Sequence, residues 1–150
     1  GRLYRRRWLV NRNRIPEELA KDLAGRSPAD YQHGAVIFDH KGIFAWGWNH
    51  QSDDKVHGDF SVHAERHAIF RAQRSRNLRQ RLIGATMVVY GQKKSNGHVL
   101  CSLPCLSCIK AIRDSGIVKV RYSSDSNNWI TSPAATIGGV FFIPLKPLTW

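Results

Sequence analysis

Two short segments, His63-Ala64-Glu65 and Pro104-Cys105-Leu106-Ser107-Cys108, constrain this chain more than any other feature. Between them they carry one imidazole, two thiols and a carboxylate that need not be a ligand. Zinc takes such N and S donors in a tetrahedron, and catalytic sites use three protein ligands with one position left to water. His63, Cys105 and Cys108 fill three positions, which leaves Glu65 free to move a proton to and from that water. Any fold that serves this set must bring two segments distant in sequence to one point.

Local geometry supports the grouping. Two residues apart, His63 and Glu65 diverge in a helix interior but can both face the open end of a first turn. Cys105 and Cys108, three apart, share one helical face. Pro104 suits a first helical position, where its missing N–H costs nothing. Two helix N-termini are therefore expected to converge on the metal, their dipoles favouring thiolate. A closed Cys2His2 site is the alternative, with His67, four residues after His63, as the fourth ligand.

The two segments resemble the zinc-dependent cytidine/deoxycytidylate deaminase superfamily, whose signature is H-x-E followed by P-C-x-x-C. The likeness extends to Gly34-Ala35-Val36-Ile37, Gly47-Trp48-Asn49 and Gly116-Ile117-Val118-Lys119-Val120, and so from about Tyr31 to Ser124. It implies an α/β fold of three layers, α/β/α, on a five-stranded mixed sheet, with Zn²⁺ as cofactor and hydrolytic deamination as the reaction. Position by position, it implies that Glu65 shuttles protons and Asn49 bonds the substrate sugar. The backbone N–H of Ala64 would read a pyrimidine carbonyl, and the carbonyl of Leu103 would face the amino group. Many polynucleotide cytosine deaminases carry Ser in the Leu103 slot and tRNA adenosine deaminases commonly carry Glu. Leu103 matches neither.

A chain of 150 residues, 42% hydrophobic, suits one domain over residues 1–150. It divides into a basic arm and first helix (1–30), a core with the zinc motifs (31–124), and a fifth strand with a C-terminal extension (125–150). Two of the three cysteines go to the metal, so no disulfide framework is expected and a reducing environment is favoured. Cys101 is expected as a half-buried thiol at a strand end. No apolar run reaches transmembrane length and no signal peptide is visible, so no membrane partner is expected. The chain opens on Gly1 rather than Met, as an excised domain or a tag-cleaved protein would, and targeting is not read from it.

Charge is the second strong signal. Lys and Arg number 23 against 11 Asp and Glu, for a net charge of +12. A balance this basic attracts polyanions through counterion release. Arg5, Arg6 and Arg7 lie in an arm that also holds Tyr4 and Trp8, and aromatics can stack on unpaired bases. Arg74, Arg76 and Arg79 extend the catalytic helix, with no acid after Glu65 to balance them. With Trp129 these are the candidate nucleic-acid contacts, against the plainer reading of a solvated charged face.

Along the chain, a helix is expected from Pro16 to Ala24, with Leu19, Ala20 and Leu23 on its apolar side. Ala35–Phe38 and Ile43–Trp46 read as a hairpin. A polar loop runs from Gln51 to Asp59. Ser61 is placed to cap a helix starting at Val62 or His63 and running towards Arg79. A third strand spans Ala85–Tyr90, a helix Pro104–Ser115 ends at Gly116, and a fourth strand spans Val118–Tyr122. The turn Asp125–Asn128 is too short for a parallel crossover, so Trp129–Thr131 is expected antiparallel to the fourth strand. Val140–Ile143 is the alternative fifth strand.

The leading expectation is a zinc-dependent cytosine deaminase acting on polynucleotide, single-stranded DNA favoured over RNA. A dCMP-type nucleotide deaminase, a tRNA adenosine deaminase and a basic binding module with structural zinc are the alternatives. Resemblance to deaminase toxins adds an immunity protein as a conditional partner. Oligomeric state is not read from the sequence.

Overall fold

The computed structural model describes residues 11–51 and 61–139. Helix α1, Pro16–Ala24, starts on its proline with Glu17 and Glu18 in the first turn, where they complement the dipole. Strands β1 (Tyr31–Asp39) and β2 (Gly42–Trp48) form the expected hairpin, turning through Gly42 at φ 115°. The main sheet continues through β5 (Thr86–Lys93), β7 (Lys119–Ser123) and β8 (Trp129–Pro133). Its order is β2-β1-β5-β7-β8, and the short β6 (Val99–Leu100) pairs with β5. Among the described strands only β5 and β7 run parallel, and β7 and β8 are antiparallel as the short turn required.

Alternation along the strands divides two cores. Val36, Ile43, Trp46, Val88 and Tyr90 pack with Leu19, Ala20, Leu23 and Ala24 of α1. On the opposite face, Ala35, Ile37, Phe44, Met87 and Val89 pack beneath two further helices. These are α2 (Ala64–Gln73) and α4 (Leu106–Ser115). The result is the three-layer α/β/α arrangement on a mixed sheet.

Several expected boundaries moved, each for a local reason. Ser61 does not cap α2: Ser61–Val62 form β4, paired with β3 (His50–Gln51), and His63 is the N-cap. The long helix towards Arg79 breaks after Gln73, because the Ser75 hydroxyl accepts from the Leu78 N–H and starts α3 (Arg76–Arg81). Pro104 lies outside α4, whose N-cap is Cys105. Cys101 is exposed rather than half-buried. Most of the loop from Gln51 to Asp59, and the alternative strand Val140–Ile143, lie outside the described residues. Among the described residues, no helix is long and apolar enough to cross a membrane.

Two glycines set how closely the layers approach. A Cβ on Gly34 would fall 2.1 Å from the Ala20 carbonyl of α1, and one on Gly47 would fall 2.7 Å from the Ala68 N–H nitrogen of α2. Helix backbone opposes both, joined at Gly47 by the base of the His67 side chain at 2.7–2.8 Å. Gly47→Ala must therefore push α2 off the sheet, at a cost of about 3 kcal/mol, the upper end for overpacking. Thermal unfolding should show a fall of about 6–12 °C for that loss, at 2–4 °C per kcal/mol.

Candidate active site

The ends of α2 and α4 make the site. His63 and Cys105 are both N-caps with extended backbone, and neither side chain makes a capping hydrogen bond. Cys105 Sγ lies 3.3 Å from the Ser107 hydroxyl of α4, and the His63 and Cys105 side chains reach a common point. Cys108 lies one turn into α4, fully buried, and reaches the same point. His63 Nδ1 is 3.2 Å from Cys108 Sγ and 3.6 Å from Cys105 Sγ. All three ligand atoms lie within 4.8 Å of one another.

Tetrahedral zinc with bonds of about 2.0–2.3 Å would hold N and S ligands about 3.5–3.8 Å apart. The observed separations are within a few tenths of an ångström of that. The thiols have opposed environments. Burial works against ionisation of Cys105, but the Ser107 hydroxyl, the Cys108 N–H and thiol and the His63 charge outweigh it and bring it to about 7. Burial pushes the Cys108 thiol well above its usual range, with Glu65 and Cys105 adding to the effect. A divalent cation reverses that balance by holding both as thiolates. The donor set therefore fits zinc.

His67 does not complete the set. Its Nδ1 lies 3.2 Å from the backbone of Trp48, and its ring packs edge-on against Trp48 and His50. Burial, with Arg71 and His50 nearby, lowers its pKa to about 4, so it is a neutral packing residue. Cys101 also lies outside the cluster.

A cavity of about 250 Å³ opens onto the ligands. Tyr31, His33, Asn49, Ser61, Ala64, Glu65, Ser102 and Leu103 complete its lining with His63 and Cys105. Larger grooves, of about 940 Å³ beside Asp39 and Arg81 and about 820 Å³ along α2, contain none of the three ligands. Glu65 is 6% exposed, in the first turn of α2. Ala64 is the first residue of α2, where an N–H has no intrahelical acceptor. Asn49 accepts from the His33 N–H and donates to the Tyr31 carbonyl, both at 2.8 Å. One amide hydrogen and one lone pair of its side chain stay available.

Residues 16–124 match the family model for the cytidine and deoxycytidylate deaminase zinc-binding region. The chain belongs to this family. No match appears among curated proteins. Solved structures share the deaminase fold. A cytidine deaminase from Burkholderia pseudomallei aligns with TM-score 0.60 and 20% identity over 80% of this chain and 91% of that one. The apo dCMP deaminase of cyanophage S-TIM5 gives 0.55 and 23% over 73% and 79%. The Mycobacterium leprae cytidine deaminase gives 0.52 and 18% over 79% and 90%.

In this deaminase the other candidate residues are dispersed. Trp129 is half-buried on the α1 side of the sheet, tilted against Tyr90 at 6.1 Å with Arg121 over its ring. Arg79 donates to the Gln73 carbonyl and so ties α3 to the end of α2. Arg74, exposed, lies over Phe70, and Arg76 is exposed on α3. The basic run is also less unbalanced than its own segment indicated, because Asp39 of β1 accepts two bonds from Arg81 at 2.6 and 2.8 Å. Those bonds hold the Asp39 carboxyl below its usual range. Arg5, Arg6 and Arg7 lie outside the described residues.

Sequence reasoning missed His33, Ser102 and Ser123. The Ser102 hydroxyl donates to the Val89 carbonyl at 2.8 Å and accepts from the Ser123 N–H at 2.8 Å. Ser123 Oγ in turn accepts from the Gly91 N–H and donates to the Leu100 carbonyl. This buried pair fastens the approach to Leu103 and Cys105 onto β5 and β7. Isolated serines in a sequence give no such signal.

Proposed function

We propose that the protein hydrolyses the amino group of cytosine within a nucleoside unit, giving uracil and ammonia. The observation that carries this reading is one small cavity that brings buried Glu65 together with His63 and Cys105, two members of the zinc-fitting cluster that Cys108 completes from behind. Zinc held by His63, Cys105 and Cys108 would supply Lewis-acid activation of the attacking water. Glu65 takes a proton from that water and delivers protons to the ring nitrogen and the departing amine. The Ala64 N–H holds the pyrimidine carbonyl, the Leu103 carbonyl faces the amine, and Asn49 holds the sugar. A C–O bond forms and the C–N bond breaks at the same ring carbon.

We take polynucleotide, single-stranded, as the carrier of that base. A cavity of about 250 Å³ admits one nucleoside, so a base would enter from an unpaired strand or after flipping. The net charge of +12 and the exposed Arg74 and Arg76 favour a polyanion. A free nucleotide is the second reading, favoured by the cytidine and deoxycytidylate deaminases that the family description names.

Salt dependence separates them. Replacing Arg5, Arg6 and Arg7 together with Ala should weaken binding to single-stranded DNA. The log–log salt slope should flatten by about 0.7 for each phosphate that the arm no longer neutralises. Turnover of free dCMP should barely change. An unchanged affinity and slope in the triple variant would favour the nucleotide enzyme.

A further inference from the structure

We propose that His33 is a specificity-determining residue of the catalytic cavity, its imidazole accepting a hydrogen bond from an N–H or O–H donor of the bound nucleoside. The inference rests on the deaminase reading above and extends it to one more side chain.

The position is unusual for the strand. Ala35 and Ile37 of β1 continue into the core beneath α2 and α4, and two-residue periodicity puts His33 on that same face. An apolar side chain would be the default there. Instead an imidazole lines the cavity together with His63, Asn49 and Glu65. Its backbone is tied to Asn49 at both ends: the His33 N–H donates to Asn49 Oδ1, and the His33 carbonyl accepts from the Asn49 N–H at 3.2 Å. The ring is thereby set beside the residue assigned to the sugar.

Gly91 makes room for it. The two residues are paired across β1 and β5, and a Cβ at position 91 would fall 2.8 Å from His33 Cδ2 and Nε2. The imidazole therefore lies over the backbone of the neighbouring strand, where only glycine leaves space. Burial favours the neutral ring, against the pull of Glu65. A neutral imidazole has one donor nitrogen and one acceptor nitrogen. The acceptor nitrogen of that ring suits a donor on the bound nucleoside. A nucleoside offers two kinds, the exocyclic amine of the base and a sugar hydroxyl.

Calorimetric titration in a Glu65→Gln background, which binds without turning over, tests this with cytidine, uridine and free cytosine as probes. His33→Val should weaken cytidine at least about fivefold, the size of one ordinary hydrogen bond. If the amine is the donor, cytosine weakens as well and uridine does not. If the sugar hydroxyl is the donor, uridine weakens and cytosine does not. Gly91→Ala, which must displace the ring, should reproduce the cytidine loss, and adding it to His33→Val should cost nothing more. Equal affinities with and without His33→Val, an equal loss for all three probes, or no binding of cytidine to the parent would overturn the proposal. Cytidine binding that follows this pattern, with no uridine released by zinc-loaded wild type, would uphold His33 and reject the deaminase reading.

Discussion

Glu65→Ala abolishes turnover and leaves zinc in place: that is the expected result for a carboxylate that serves the reaction and not the metal. Glu65 is buried in the first turn of α2, two residues after His63, and the ligand cluster forms without it. Removing a proton shuttle typically lowers the rate by about 10²–10⁴-fold, and here one group serves both water and leaving amine, so the upper end applies. Metal analysis and single-turnover kinetics on the same sample check the two halves together. Zinc lost from the Glu65→Ala protein would make the carboxylate a ligand and dismantle the assignment.

Cys108→Ala should empty the site and lower the stability of the whole domain. The thiol lies buried one turn into α4 and 3.2 Å from His63, so its loss leaves two ligands where three are needed. A ligand present at a thousand times its Kd stabilises the native state by about 4 kcal/mol. At 2–4 °C per kcal/mol for a chain of this size, the melting temperature should fall by about 8–16 °C relative to the zinc-loaded parent. Cys105→Ala should act in the same direction. Cys101→Ala should keep full occupancy, since that thiol is exposed and apart from the cluster. An empty site in the Cys101→Ala protein would mean that the ligand set is misassigned.

The parts of this molecule that were legible in the sequence are those decided locally. Helix α1 was bounded by Pro16 and its buried face by Leu19, Ala20 and Leu23. The antiparallel β7–β8 pair followed from a turn too short to cross over. The grouping of His63, Cys105 and Cys108 followed from the chemistry of their donor atoms. What escaped depended on distant partners. The run of Arg74, Arg76 and Arg79 looked unbalanced because Asp39, which pairs with Arg81 just beyond it, lies on a strand far off in sequence. The break between α2 and α3 was hidden because Ser75 reads equally well as a helix surface residue and as a cap. His33 carried no motif, and its meaning depends on Gly91, which becomes its neighbour only when β1 and β5 pair. The glycines of Gly34-Ala35 and Gly47-Trp48 stood out as family likeness, and the structure supplies their reason: helix backbone rests directly on each.

The central claim is that this zinc-fitting cavity converts cytosine to uracil. The direct measurement is product analysis after incubating the zinc-loaded protein with single-stranded DNA, double-stranded DNA, RNA and dCMP, counting uracil and inosine in parallel with Glu65→Ala. Uracil in at least one cytosine substrate, most in single-stranded DNA and none with the variant, is the predicted result. Inosine without uracil, or no product from any substrate by a protein that carries its zinc, would contradict it.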